Sequence, residues 1–217
     1  MDKDVIANDR MMFQRNVLGV LGMSLPFILL AVNLIFGRGC NPAGALTSIS
    51  ATYYSVAFVF FVGPLICVGI FFLCYEGYDI KDRIISKIAG IAAITLVLFP
   101  CRLPGAQTWN FVMLPMHITN PIHLISAGIF FGCLILMIGF QFTKTGEGAA
   151  IQPGSRKWRR NILYYTCSAI MTGAIIIGFG GSRLLGFPYL VFIGETLTLE
   201  AFGLGFLTKG GLILKDV

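Results

Sequence analysis

A histidine, His123, stands in the run NPIHLISAGIFFG (residues 120–132), and a glutamate, Glu195, in FPYLVFIGETLTLEAFGLGF (residues 187–206). Both runs are otherwise nearly apolar, and Glu200 follows Glu195 five residues on. An imidazole can act as a general base near neutral pH if it reaches the proton it must remove, and Ser50 or a water would then be the nucleophile. A carboxylate in apolar surroundings is costly unless it is paired or protonated. Glu195 and Glu200 are therefore expected either to carry function or to be held by hydrogen bonds from a neighbouring helix. Arg102 and Arg183 add planar guanidinium forks that match a phosphate. Candidate catalytic residues are His123, Glu195 and Ser50; candidate lipid- or ligand-binding residues are His123, Glu195, Arg102, Arg183, Tyr53, Tyr54 and Glu200. His117, beside Pro115, reads as an interfacial loop residue. G-x-S-x-G and H-E-x-x-H are absent, and no Cys/His spacing resembles a zinc site, so neither a metal nor a cofactor is expected.

The elements that must position these residues follow from composition. The chain has 217 residues, of which 56% are hydrophobic and only 12% charged, with a mean hydropathy of +0.83. Soluble domains carry about 25% charged residues. A deficit of that size means that most of the surface does not face water. Six apolar runs approach the roughly 17–25 residues a bilayer span requires: 17–36, 55–74, 84–100, 122–142, 162–182 and 188–207. The expectation is an all-α polytopic membrane protein, one domain over 1–217, with six transmembrane helices in a compact bundle. Helices are favoured because in lipid every backbone amide must be paired within its own segment.

Placing the N-terminus inside puts thirteen of the sixteen basic residues on inner segments, leaving only Arg38, Arg102 and Arg183 outside, as the positive-inside rule demands. Both termini are expected to be cytoplasmic, with span one a retained signal anchor. The run SRKWRR (155–160) reads as a topology anchor that can also touch anionic inner-leaflet lipid. The net charge of +6 thus needs no nucleic-acid partner. Membrane lipids are the expected partners, and a homo-oligomer is compatible with the sequence.

Within this frame Asn120 is a good N-cap and Pro121 suits the first helical position, so span four should begin there with His123 one turn deep and Ser126 on the same face. Glu195 should lie about 8–10 Å below the outer end of span six, with Glu200 about 140° away around the helix. Gly128-xxx-Gly132, Ala174-xxx-Gly178 and Ala201-xxx-Gly205 are small-residue pairs that permit close helix approach. Two outer loops, Gly37–Tyr54 and Cys101–Pro121, are rich in Gly, Pro and aromatics and should form interfacial or re-entrant structure. The inner loop Thr143–Asn161 is polar and broken by Gly and Pro, and is expected to be mobile. Cys40 and Cys101 alone fall on the outer, oxidising side, where they either bridge the two outer loops or remain free.

The elements Ser48-Ile49-Ser50 before span two, His123-xxx-Ala127-xx-Phe130 in span four, and Glu195 early in span six resemble those of the Frag/DRAM/Sfk superfamily of multi-spanning proteins and its bacterial relatives. The resemblance implies a six-span layout in a bacterial plasma membrane, a link to lipid handling, and Ser50, His123 and Glu195 as shared positions. Ala51 departs from it, since eukaryotic members carry an acidic or polar residue there. Three functions remain open at this level. They are a protein that binds a lipid headgroup in an outward-facing polar pocket, a membrane-embedded lipid hydrolase or acyltransferase using His123, and a proton-coupled transporter or channel using Glu195 and Glu200.

Overall fold

A computed structural model of the chain describes residues 3–77, 79–105, 114–145 and 151–214, with residues 3–8 as backbone only. Apolar residues fill helices almost throughout, and among the described residues there is no strand. In chain order the helices are α1 (Lys3–Phe36), α2 (Phe58–Cys74), α3 (Ile80–Leu98), α4 (Met116–Leu136), α5 (Arg156–Ile176), the single turn α6 (Ser182–Leu185) and α7 (Tyr189–Lys209). A 3-10 turn, Ser50–Tyr54, precedes α2, and π turns extend α4 (Met137–Gln141) and α5 (Ile177–Gly181). Gly186 closes α6 in the left-handed conformation (φ 63°), which glycine enters without steric cost.

Four segments are long and apolar enough to cross a membrane: Asp9–Phe36, Met116–Gln141, Arg156–Leu185 and Tyr189–Lys209. Phe58–Cys74 is apolar but shorter, and α3 carries Lys81, Asp82, Arg83 and Lys87 in its first half. Large side chains such as Val59, Ile35, Phe140 and Ile176 point outward, a surface suited to lipid and not to water. These are the elements of an integral membrane protein.

The bundle is built from intimate pairs: α1 with α7, α2 with α3, α5 with α7, and α3 with α4. Glycines set the closest crossings. A Cβ on Gly90 would lie 2.7 Å from the Gly69 carbonyl, one on Gly203 2.7 Å from that of Gly19, and one on Gly194 2.5 Å from that of Ala174. Ala174 and Gly178 thus form a contact face, as their spacing suggests. Gly128 and Gly132 do not: a Cβ on either meets nothing within 4 Å. Spacing alone shows that a helix face is smooth, whereas only the neighbouring helices decide whether that face is covered. At the centre, Phe206 packs against Phe202, Phe142 and Phe72 with ring centroids 4.5, 5.0 and 6.0 Å apart.

The two ends of the bundle differ. At one end, Arg15 is buried and donates to the Tyr75 hydroxyl (2.7 Å). Lys144 pairs with Asp79 (2.6 Å) and Asp82 (3.3 Å), Lys209 donates to the Phe142 carbonyl (3.2 Å), and Asn16 ties α1 to Gly210 beyond α7 (3.1 Å). Asp79 caps α3 by accepting from the Asp82 amide (2.9 Å). The hydrogen bond from Lys144 holds its carboxyl below the ordinary range. The middle of the Thr143–Asn161 loop, residues 146–150, lies outside the described residues, as does 106–113 of the loop at the opposite end.

Several boundaries differ from those expected. Helix α1 starts well before residue 17, and α3 runs four residues earlier at its start and two shorter at its end than 84–100. The expected start of the fourth span at Asn120 is wrong: α4 begins at Met116 after an extended Pro115, and Pro121 lies inside the helix. A proline there forgoes one backbone hydrogen bond, a cost this helix absorbs. Asn120 is instead occupied from outside, its Oδ1 accepting the Arg102 amide at 2.8 Å.

Candidate functional site

The candidate residues gather at the end of the bundle opposite the basic cluster, and the loop 37–57 organises them. Asn41 bridges Asn33 of α1 (2.7 Å) and the Val56 amide (3.0 Å). Ser48 Oγ accepts from Ala51 (2.9 Å), Thr52 Oγ1 donates to the Ile49 carbonyl (2.6 Å), and Ser55 Oγ to that of Thr52 (2.8 Å). Short hydroxyl side chains thus supply the partners that turn backbone needs. Thr52, Ala51 and Ile49 are buried, so the loop folds into the bundle end and does not ride over it.

Glu195 explains how the loop is held. It lies two turns into α7, is 5% exposed, and its Oε2 accepts the Ile49 amide at 2.5 Å. A carboxyl oxygen here meets an amide that opens a helical turn and has no partner within it. A backbone bond from Phe192 to the Thr47 carbonyl (3.1 Å) reinforces the same junction. Ser50 and Glu195 are therefore brought together, but through the backbone of Ile49. The space they share, lined also by Leu25, Phe61 and Phe130, is about 40 Å³. That volume suits one or two waters and is far too small for a lipid.

His123 is 2% exposed. Its Nδ1 donates to the Phe99 carbonyl (2.9 Å). That carbonyl lies just beyond the last turn of α3, where helix geometry leaves acceptors unpaired. The imidazole of α4 thus caps the C-terminal end of α3. His123 and Glu195 do not meet as partners; each is engaged with a different piece of backbone.

Around them the remaining candidates separate. Arg102 lines a recess of about 450 Å³ with Thr47, Ser48, Cys101, Asn120 and Ser182. Its backbone is fixed by Asn120, while its exposed guanidinium has no hydrogen-bond or ion-pair partner among the described residues. His117 lines an adjoining recess with Arg102. Tyr54 donates to the Cys101 carbonyl (2.8 Å) and stacks edge-on with Tyr53, which in turn meets Phe58. Burial pushes both phenols above their ordinary value. Arg183 stands apart, at the end of a cleft between α4 and α5. Glu200 faces yet another groove, with Met23, Leu163 and Thr166, and so shares no lining with Glu195. Cys40 is exposed and Cys101 buried, and both are free thiols. Burial pushes the Cys101 thiol up to about 12.

Arg15 and Asp82 escaped the sequence reading as structural residues, and Asn120 was read as a helix cap where it accepts the Arg102 amide. A signal existed for the first: Arg15 stands at the edge of an apolar run, four residues beyond Met11, which its guanidinium contacts. Thr47 and Ser182 carry no sequence signal beyond being small and polar in a loop or at a helix end. Compared with known proteins, the chain matches no family model, no curated protein and no solved structure.

Proposed function

We propose that this is a six-span membrane protein that binds the phosphate-bearing headgroup of a lipid in the Arg102 recess, on the outer face, without chemical turnover. The observation that carries the reading is a recess of about 450 Å³ whose arginine has no protein partner among the described residues and is surrounded by Thr47, Ser48, Asn120 and Ser182. The Ser48 hydroxyl and the Asn120 carboxamide beside a guanidinium are donors suited to phosphate oxygens, whereas the Thr47 and Ser182 hydroxyls already donate to the Gly44 and Phe179 carbonyls. Among the described residues, no acidic side chain lines the recess. Against hydrolysis or acyl transfer stand the engagements of His123 with the Phe99 carbonyl and of Glu195 with the Ile49 amide. A proton relay along α7 is disfavoured by the separate surroundings of Glu195 and Glu200.

Six crossings are favoured by helix length. Helix α2 has 17 residues and α3 has 19, about 25 and 28 Å at 1.5 Å per residue, close to the ~30 Å hydrocarbon core. The charged first turns of α3 then lie at headgroup level on the basic side, where Asn16 of α1 meets Gly210 beyond α7. The positive-inside rule makes that side cytoplasmic and turns the recess outward.

The test is lipid retention. Purified protein, released from detergent and weighed intact, is expected to carry a phospholipid, and Arg102→Gln should lower its retention by about tenfold or more. Equal retention by the two proteins overturns the reading.

A further inference from the structure

We infer that the cleft between α4 and α5 holds one acyl chain of an anionic phospholipid whose phosphate is met by Arg183. The inference rests on the headgroup reading above and extends it to the class of lipid and the path of its chain.

The cleft has a volume of about 530 Å³ and is lined by apolar side chains such as Phe131, Ile176 and Phe179, with Gly128, Gly132 and Gly180 between them. A Cβ on any of these three glycines would find nothing within 4 Å. At several crossings glycines mark places where helices touch, as at Gly69 with Gly90, while Gly63 and Gly173 also face open space. Here they mark a place where two neighbouring helices leave room. The π turn after α5 contributes Phe179 and Gly180 to the same cleft, and such turns commonly accompany ligand sites.

Dimension and charge then choose the occupant. Along α4 the lining runs from Leu124 to Ile135, a rise of about 17 Å, or roughly half of the ~30 Å hydrocarbon core. That is the depth of one leaflet, reached from the recess end. Arg183 stands at that end, exposed, with no partner among the described residues. Among the described residues neither void is lined by a carboxylate and neither arginine is paired, so two guanidinium groups face the pair of spaces. Leu124 lines both voids, so they adjoin. An anionic lipid supplies, in one molecule, a phosphate for the arginines and a chain for the cleft. An apolar helix of another protein would cover the cleft but leave Arg183 unmatched.

The test uses full-length protein in nanodiscs of phosphatidylglycerol or phosphatidylcholine, and in detergent with short-chain dihexanoyl phosphatidylglycerol. Wild-type protein should retain long-chain phosphatidylglycerol at least about tenfold over phosphatidylcholine. Gly128→Leu with Gly132→Leu, substitutions into open space, should remove most of the long-chain retention and leave short-chain binding unchanged. Arg183→Gln should erase the preference for the anionic lipid. Should the double variant keep its long-chain lipid while Arg102→Gln loses it, the chain lies elsewhere and this inference fails while the headgroup reading stands. If Arg102→Gln also keeps it, both fail. A photoreactive group midway along the acyl chain checks the wild-type protein directly, without relying on a variant's folding. Crosslinks are expected in residues 124–135 and 172–180, whereas crosslinks confined to α1 and α2, or to a second copy of the protein, overturn the assignment.

Discussion

At the scale of single residues, the imidazole and the carboxylate that look most chemical are engaged in holding backbone. His123 closes the end of α3, and Glu195 closes the opening of the Ser50–Tyr54 turn. Removing a buried donor strands its acceptors, at about 1–3 kcal/mol. His123→Ala should therefore lower the melting temperature in detergent, and His123→Asn, whose amide can still donate toward Phe99, should recover part of the loss. A variant as stable as the wild type would return the imidazole to the pool of catalytic candidates. The residue types were legible in the sequence, but their partners were not. Glu195 meets an amide 146 positions away, and backbone acceptors carry no sequence signature. Cys101 gives a second expectation. Its thiol ionises at an ordinary 9.0 when unfolded and at about 12 when buried, so the fold keeps it protonated where the open chain would lose the proton. The contribution is complete below pH 9 and is lost as the pH climbs from 9 toward 12. Stability should fall across that window less steeply in Cys101→Ala, and a maleimide at pH 8 should modify Cys40 while Cys101 resists until the protein unfolds.

At the scale of elements, hydropathy and charge read the helices well and their ends less well. The start of α4 was misplaced because Asn120 and Pro121 form a capping signal on their own, and only the Arg102 amide, arriving from another loop, reveals what Asn120 does. Small-residue spacing was legible in the same partial way. It finds smooth helix faces without saying which of them are covered, and this ambiguity has a measurable counterpart in one substitution made at two places. Gly90→Ala puts a methyl 2.7 Å from the Gly69 carbonyl, and overpacking of that kind costs roughly 1–3 kcal/mol. Gly132→Ala meets open space, so helix propensity governs and the change should stabilise by up to about 1 kcal/mol. Thermal unfolding of the two variants should move in opposite directions. Movement in the same direction would mean that α4 and α5 close on each other where a cleft now lies.

At the scale of the whole molecule, the protein divides into a fastened end and a receptive end. Arg15, Tyr75, Asp79, Asp82, Lys144, Lys209 and Asn16 link α1, α3, α7 and the segments that follow α2, α4 and α7 at the basic end. Two arginines stand at the other, their guanidinium groups without hydrogen-bond or ion-pair partners among the described residues. A pocket can hold a ligand only if its surroundings stay put while it fills, and the Glu195 tether together with the basic cluster supplies that rigidity from both sides. Which leaflet supplies the ligand depends on the orientation of the whole bundle, and Cys40 reports on it. This exposed thiol lies on the loop between α1 and α2, at the end that carries Arg102 and Arg183. In intact cells a membrane-impermeant maleimide should label Cys40, and a fluorescent protein fused after Val217 should fold and glow in the cytoplasm. With Cys40 protected until the membrane is permeabilised, the bundle would be inverted. The recess and the cleft would then open to the inner leaflet, and their lipid would have to come from there.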